Sequence, residues 1–341
     1  MNSTTNQFPI DAVITWVDGT DPSFLKRKSK YADQSNMESI NPTRFNEVGE
    51  LNFVVKSIFK YAPFIRNIVI LTDAQTPEII NASKNWSKYY QNKIQLVDHK
   101  EVFRDHIDVL PTFNILSIEA MLYKIKGLSE HFIYFNDDVF LIKPTTIEDW
   151  FVDGLPVIRG KWEPLPHRLW YKKIDYWFNP SKLKRFGYKR LQAYAAQLAG
   201  YTKRYFRMYH HPRALLKSQF ETYFDHQPHL LKKQISYRFR SPEQFNPYGL
   251  ILHASLLNKQ AITSSKLQLS EVTYSLKKNP KRVYRKLVKA AADSSILFLN
   301  LQSLDLLEAS ELQKVINELD ALTQMDLTAT PTNVKKQGIN Y

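Results

Sequence analysis

A chain of 341 residues that is 43% hydrophobic and 13% aromatic is long and apolar enough for one substantial core, which excludes wholesale disorder. Without a single cysteine it has no disulfides and no thiolate metal sites. Its formal charge of +14 attracts polyanions in general, whether nucleic acid, anionic lipid or phosphorylated substrate, and does not choose among them. The polar opening MNSTTNQFP leads into no secretory h-region, and no stretch approaches the roughly 20 apolar residues of a spanning helix. A soluble, cytoplasmic protein, at most peripheral to a membrane, is the expectation.

In chain order, the apolar run Ile10–Val17 predicts a buried strand that ends on Asp18. Val54, Val55 and Ile58 predict a helix within Glu47–Tyr61, and the run Ile65–Thr72 a second strand ending on Asp73. A weaker run, Ile94–Val97, ends on Asp98. Ile115, Ile118, Leu122 and Ile125 recur at helical spacing until Gly127 stops them. Phe132–Phe135, then Val139–Ile142, flank the triplet Asn136-Asp137-Asp138. Strands alternating with helices predict an α/β fold with a mostly parallel open sheet, whose ligands bind beyond the carboxyl ends of the strands. From Phe151 to Lys233 aromatic and basic residues interleave, which predicts a largely helical basic insertion lining or lidding the site. Leu312, Val315, Ile316, Leu319 and Leu322 predict a closing helix. The expected division is a core at 8–150, the insertion at 151–235, completion of the core at 236–326 and a flexible tail at 327–341.

The chemistry concentrates where strands end. Asp137 and Asp138 are adjacent carboxylates, which persist best beside a cation, and such hard oxygen ligands suit Mg²⁺ or Mn²⁺ bridging phosphates. Asp-Asp pairs are also common in plain turns. Asp11 inside the first strand and Glu119 beside a core stripe are costly unless paired or metal-bound, although either could be a satisfied structural acid. Asp18-Gly19-Thr20-Asp21-Pro22 forms a turn that could let backbone approach a nucleotide, or be an ordinary turn; it is neither a Walker loop nor G-x-G-x-x-G. His210 could take a proton from a hydroxyl. His226 and His229 lack the H-E-x-x-H context of a zinc site. Arg240 is suited to bidentate phosphate contact, in a region where most arginines belong to the surface.

Four blocks together resemble the conserved regions of the Stealth proteins, a family that includes bacterial capsule phosphotransferases. They are IDAVITWVDGTDP; RFNEVGELNFVVKSIFKYAPFIRNIVILTDAQTP continuing through LPTFNILSIEAMLYKIKGLSEHFIYFNDDVFL; HHPRALLKSQFETYF with RSPEQF; and, weakly, ILFLNLQSLDLLE. The resemblance implies a core like the nucleotide-sugar-binding half of glycosyltransferases (GT-A or Rossmann-like). It implies catalytic roles for Asp11, Glu119, Asp138, His210 and Arg240, a nucleotide-side turn shaped by Trp16, Asp18 and Gly19, with Asn136 in the strand-end triplet, and Mg²⁺ (or Mn²⁺) on Asp11, Asp137 and Asp138. The implied reaction moves a sugar-1-phosphate from a UDP-sugar to a hydroxyl of an oligosaccharide or lipid-linked glycan acceptor. UMP is released; a lipid-linked acceptor would also explain a positive face against the inner membrane surface.

Three departures bear on this. Asn52 and Lys56 stand where arginines are usual, Leu301 follows Asn300 where an acid is usual, and the chain is short for the family, which favours single insertion over polymerisation. The rivals are a metal-dependent glycosyltransferase, which would release UDP, and a nucleic-acid-binding module. The latter lacks any recognised motif and would set acids against phosphate.

Overall fold

In the computed structural model residues 8–32, 48–170, 177–179, 187–276 and 279–331 are described. Twelve strands carry the architecture: β1 (Ile10–Thr15), β2 (Ile65–Thr72), β3 (Ile94–Asp98), β4 (His131–Asn136), β5 (Val139–Leu141), β6 (Phe151–Val152), β7 (Leu155–Pro164), β8 (Arg204–Met208), β9 (Arg213–Leu216), β10 (Ile262–Ser264), β11 (Leu269–Thr273) and β12 (Phe298–Gln302). The central sheet has the order β3-β2-β1-β4-β9. Its first four strands are parallel and β9 is antiparallel to β4. A mostly parallel α/β sheet is therefore what the alternation of apolar runs specified.

The sheet is buried on both faces, which is why its strands read as nearly unbroken apolar runs. Ala12, Ile14, Ile68, Ile70, Ile133 and Phe135 face one core, under the helix Glu50–Tyr61 and the closing helix Ala309–Thr323. Val13, Val69, Leu71, Phe132 and Tyr134 face the other, with Phe220, Phe224, Leu250 and Ile251. The period of 2 along each strand assigns these faces.

Two expectations need amendment. The stripe Ile115 to Ile125 is not one helix: an α-helix covers Ile115–Glu119 and a separate 3-10 turn covers Leu122–Lys124, before Gly127 turns at φ 77°. Residues 116 to 123 are buried throughout. Without a solvent face, apolar spacing cannot say where the helix stops. The segment 151–235 does contain the helices Tyr188–Leu198, Lys217–His226 and Pro228–Ile235, but also β7, β8 and β9. Because β9 pairs with β4 through Tyr134↔Arg213, the segment is woven into the central sheet instead of standing apart from it. At the other end Leu327 is buried in the core and its carbonyl accepts from Ser87 N at 2.8 Å, so the described part of the expected tail is anchored. Residues 332–341 lie outside the described residues.

Candidate active site

The carboxyl ends of β1 and β4 lie side by side, since Thr15 pairs with Asn136 in the sheet register. The chain leaves β4 into the Asn136-Asp137-Asp138 turn and returns as β5, which pairs with β12. Strand β12 brings Asn300 and Gln302 to the turn: Leu301 N donates to Asp138 O at 3.1 Å and Asn300 Nδ2 to the same carbonyl at 3.3 Å. Asp138 is half-buried. Burial raises its pKa above the ordinary carboxylate value, against the hydrogen-bonding influence of Gln302 and Asn300.

Glu119 reaches the same region from the helix Ile115–Glu119. Asn114 caps that helix through Leu116 N, and its Nδ2 also donates to Tyr237 O, Phe239 O and Gln244 Oε1, each at 2.9 Å. One buried amide thus fastens the helix that carries Glu119 to the loop that carries Arg240. Glu119 is 4% exposed and accepts from Tyr134 Oη at 3.2 Å, while Oε2 has no partner. Burial pushes its pKa up to about 7 in spite of Arg213, the Tyr134 hydroxyl and Arg240.

Arg213 is the central cation. It is 2% exposed, and its guanidinium donates to Asn136 Oδ1 at 3.3 Å and to Tyr188 Oη at 2.8 Å, and lies 4.1 Å from the Tyr248 ring. Burial opposes its charge, but Tyr188, Tyr248 and Glu119 hold it in the charged form. Thr15 Oγ1 lies 3.0 Å from Tyr134 Oη, which also accepts from Asn136 Nδ2 at 3.3 Å. Tyr248 Oη donates to Tyr188 Oη at 3.1 Å. A continuous polar path therefore crosses the site from β1 to the helix Tyr188–Leu198.

His210 enters between β8 and β9. Its Nδ1 lies 3.4 Å from Gln302 Nε2 and its ring 5.7 Å from that of Tyr188. Burial and the charges of Arg213 and Arg240 lower its pKa to about 3, so its imidazole is neutral near pH 7. Glu119, Asp138, His210 and Arg240 are thus brought together around Arg213. The neighbouring His211 belongs to the core. It is 2% exposed, Nε2 bonds to Arg159 O at 3.3 Å, and the ring packs on Phe298.

Asp11 does not join them. It lies four residues, roughly 13 Å of strand, before the end of β1. Arg66 donates to both its oxygens, at 2.9 and 2.6 Å, and the amides of Asn67 and Ser129 complete its shell at 3.2 and 2.8 Å. Asp11 is expected to be metal-ligating or catalytic; in the structure it is a buried acid whose compensation comes from Arg66 and two amides. The other strand-end acids have local work too. Asp73 pairs with Arg27 at 2.8 Å, and Asp98 caps the helix His99–Val102.

At the turn after β1, Asp18 N donates to Gln75 Oε1 and Gln75 Nε2 to Asp18 O, both at 2.9 Å, and Asp18 Oδ1 accepts from Thr20 N. Gly19 is buried in this turn, and Trp16 is buried in the first core at 6% exposure. Among the described residues no three His, Asp or Glu side chains converge as a metal cage. Asp138 Oδ1 and Asn300 Oδ1 are, however, buried oxygens without partners, and Asp137 adjoins them. That donor set fits Mg²⁺, which takes one or two carboxylates and completes its octahedron with phosphate oxygens and water.

Residues 8–36 match Stealth protein CR1, conserved region 1, and residues 44–157 match Stealth protein CR2, conserved region 2. Over those two regions the chain is similar to the Stealth proteins. It is 42% identical over 148 residues to an exopolysaccharide phosphotransferase of Streptomyces coelicolor, a match covering 43% of this chain and 24% of that protein. It is 39% identical over 154 residues to an exopolysaccharide phosphotransferase of Lactiplantibacillus plantarum (45% and 42% covered). With a capsular polysaccharide phosphotransferase of Haemophilus influenzae it shares 44% over 146 residues (42% and 38%). The chain spans less than half the length of these curated relatives. Among solved structures, the galactosyltransferase LgtC in complex with donor and acceptor sugar analogs aligns with a TM-score of 0.44 at 11% identity, over 96% of this chain and 99% of that one.

Proposed function

We propose that the protein transfers a sugar-1-phosphate from a UDP-sugar to a hydroxyl of a surface-polysaccharide acceptor, forming a phosphodiester and releasing UMP. The observation that carries this reading is the convergence of Asp138, Glu119, His210 and Arg240 on Arg213 at the carboxyl ends of β1 and β4, where a parallel sheet offers a ligand site. The names of the relatives, all polysaccharide phosphotransferases, support it.

The acceptor oxygen forms a bond to the β-phosphorus while the bond from that phosphorus to the UMP oxygen breaks. The neutral His210 imidazole receives the acceptor's proton. Arg240 holds the transferring phosphate, for which a guanidinium is well shaped. Arg213, locked by Asn136 and Tyr188, adds a positive charge that needs no reorganisation as charge develops. Glu119, close to half-protonated at neutral pH, receives a hydroxyl of the donor sugar on its unpartnered Oε2. Asp138, Asn300 and Asp137 would hold a divalent ion that neutralises the diphosphate. The turn at Trp16, Asp18 and Gly19 takes the nucleotide. The aromatic segment after residue 151 takes the oligosaccharide or lipid-linked acceptor, at the inner face of the plasma membrane.

The test is incubation with a panel of UDP-sugars, Mg²⁺ and a synthetic acceptor, analysed by mass spectrometry and phosphorus NMR. UMP and a phosphodiester product are expected, and His210→Ala should lower turnover by about 10²-fold or more, within the usual range for a positioned base. UDP with a phosphorus-free product would replace this reading with glycosyl transfer. Normal turnover of His210→Ala would move the proton elsewhere.

A further inference from the structure

The charge of +14 invites the question of which surface is free to use it. Many cations of the aromatic segment already have partners within the chain. Arg159 is buried on Gln268 and Asp149, Lys161 and Arg207 share Glu163, Lys217 pairs with Glu221, and Lys233 with Glu243.

The helix Lys281–Ala292 is different. Its sequence, KRVYRKLVKAAA, holds five cations and no acid. Val283, Leu287 and Ala290 are buried, on the side that packs against β11, β12 and the closing helix. Lys281, Arg282, Arg285 and Lys289 are exposed on the opposite side, and Val288 stands among them at 39% exposure. Positions 281, 285, 288 and 289 fall on one face of an α-helix. Leu276, which leads into the helix, is 76% exposed. Asp293 follows the helix close to Lys289, but its carboxylate is taken by Ser295.

We propose that this outer face docks on a bilayer carrying anionic headgroups. The cations complement the headgroup phosphates, Val288 among them is placed to enter the boundary between headgroups and acyl chains, and Leu276, five residues before the helix begins, adds a second exposed apolar side chain. A soluble polyanion would engage the cations but give the two apolar side chains nothing to bury. This docking deepens the membrane location given in the proposed function, but its test is separate from that of the reaction, because binding to a bilayer requires neither donor nor acceptor.

The experiment uses the full chain and vesicle flotation, comparing phosphatidylcholine alone with phosphatidylcholine containing phosphatidylglycerol. Binding is expected to the mixed vesicles and to weaken with salt. Replacing Lys281, Arg282, Arg285 and Lys289 together by Gln should lower partitioning at least about fiftyfold, given roughly fivefold per cation at an anionic surface before screening. Leu276→Ser with Val288→Ser keeps every charge and should lower partitioning about tenfold or more, as the burial of two aliphatic side chains implies. Thermal melts establish that both variants fold, and the apolar pair remains a test if the fourfold variant does not. Absent binding to mixed vesicles, or unchanged binding by either folded variant, overturns the proposal. Retention on immobilised heparin together with apolar-pair binding equal to the unaltered protein's would assign the face to soluble polyanions.

Discussion

Replacing Glu119 by Gln should stabilise the protein while disabling it. The carboxyl titrates near 7 in the folded chain and near the ordinary 4.5 when unfolded. Below about pH 4.5 both states carry a protonated group and the difference vanishes. As the pH rises towards 7 the unfolded chain ionises first, so the folded state loses stability, and above 7 the full penalty applies. A separation of two to three units corresponds to about 3 kcal/mol at 1.36 kcal/mol per unit. Glutamine keeps an oxygen for the Tyr134 hydroxyl at 3.2 Å and carries no charge to desolvate. At pH 8 Glu119→Gln should therefore gain roughly 2–3 kcal/mol, or roughly 3–4 °C in melting temperature for a chain of this size. At pH 4.5 the gain should disappear. Calorimetric melts of both proteins across this range measure it. A gain independent of pH, or a loss at pH 8, would show that Glu119 is ionised and fully compensated in the fold, and would refute the argument.

Two further outcomes follow from the packing. Arg66→Ala strips two charge-assisted hydrogen bonds from the buried Asp11, so denaturant unfolding should show a loss of about 2–3 kcal/mol, while the metal dependence of turnover stays unchanged; altered metal affinity would return Asp11 to the site. At Gly160 an added Cβ would meet Arg207 O at 2.3 Å and the Phe206 ring at 2.7 Å, so Gly160→Ala should separate β7 from β8 and cost about 1–3 kcal/mol in the same assay.

The parallel core was legible because its strands are buried on both faces and hence continuously apolar. Ile65–Thr72 coincides with β2 for that reason. Strand β9 was not: RALL is four residues long, and Arg213 begins it with a buried charge, the reverse of a strand signal. Of the candidate site, Asp138, Glu119, His210 and Arg240 are proposed from strand ends and block resemblance, and in the structure they lie around Arg213. Arg213 stands three residues after His210 in the same block and was passed over because basic residues surround it. Its burial, which gives it meaning, depends on Tyr188 and Tyr248, and no local pattern marks either. Asp11 shows the opposite difficulty, since an acid compensated by Arg66 and one seeking a metal look alike until the partner is located.

Strand β9 has a consequence for how the chain can be divided. Residues 8–157, which hold the two matched family regions, include β4 but not its outer neighbour. Cut there, the chain would present β4 as a bare hydrogen-bonding edge, with Phe132 and Tyr134 no longer covered by Phe220 and Tyr248. An open apolar edge of that kind invites pairing with other chains. The recognisable region is thus a sequence unit without being a folding unit. Exchanges of carboxyl-terminal halves between relatives must carry a strand able to close this sheet before any question of specificity arises.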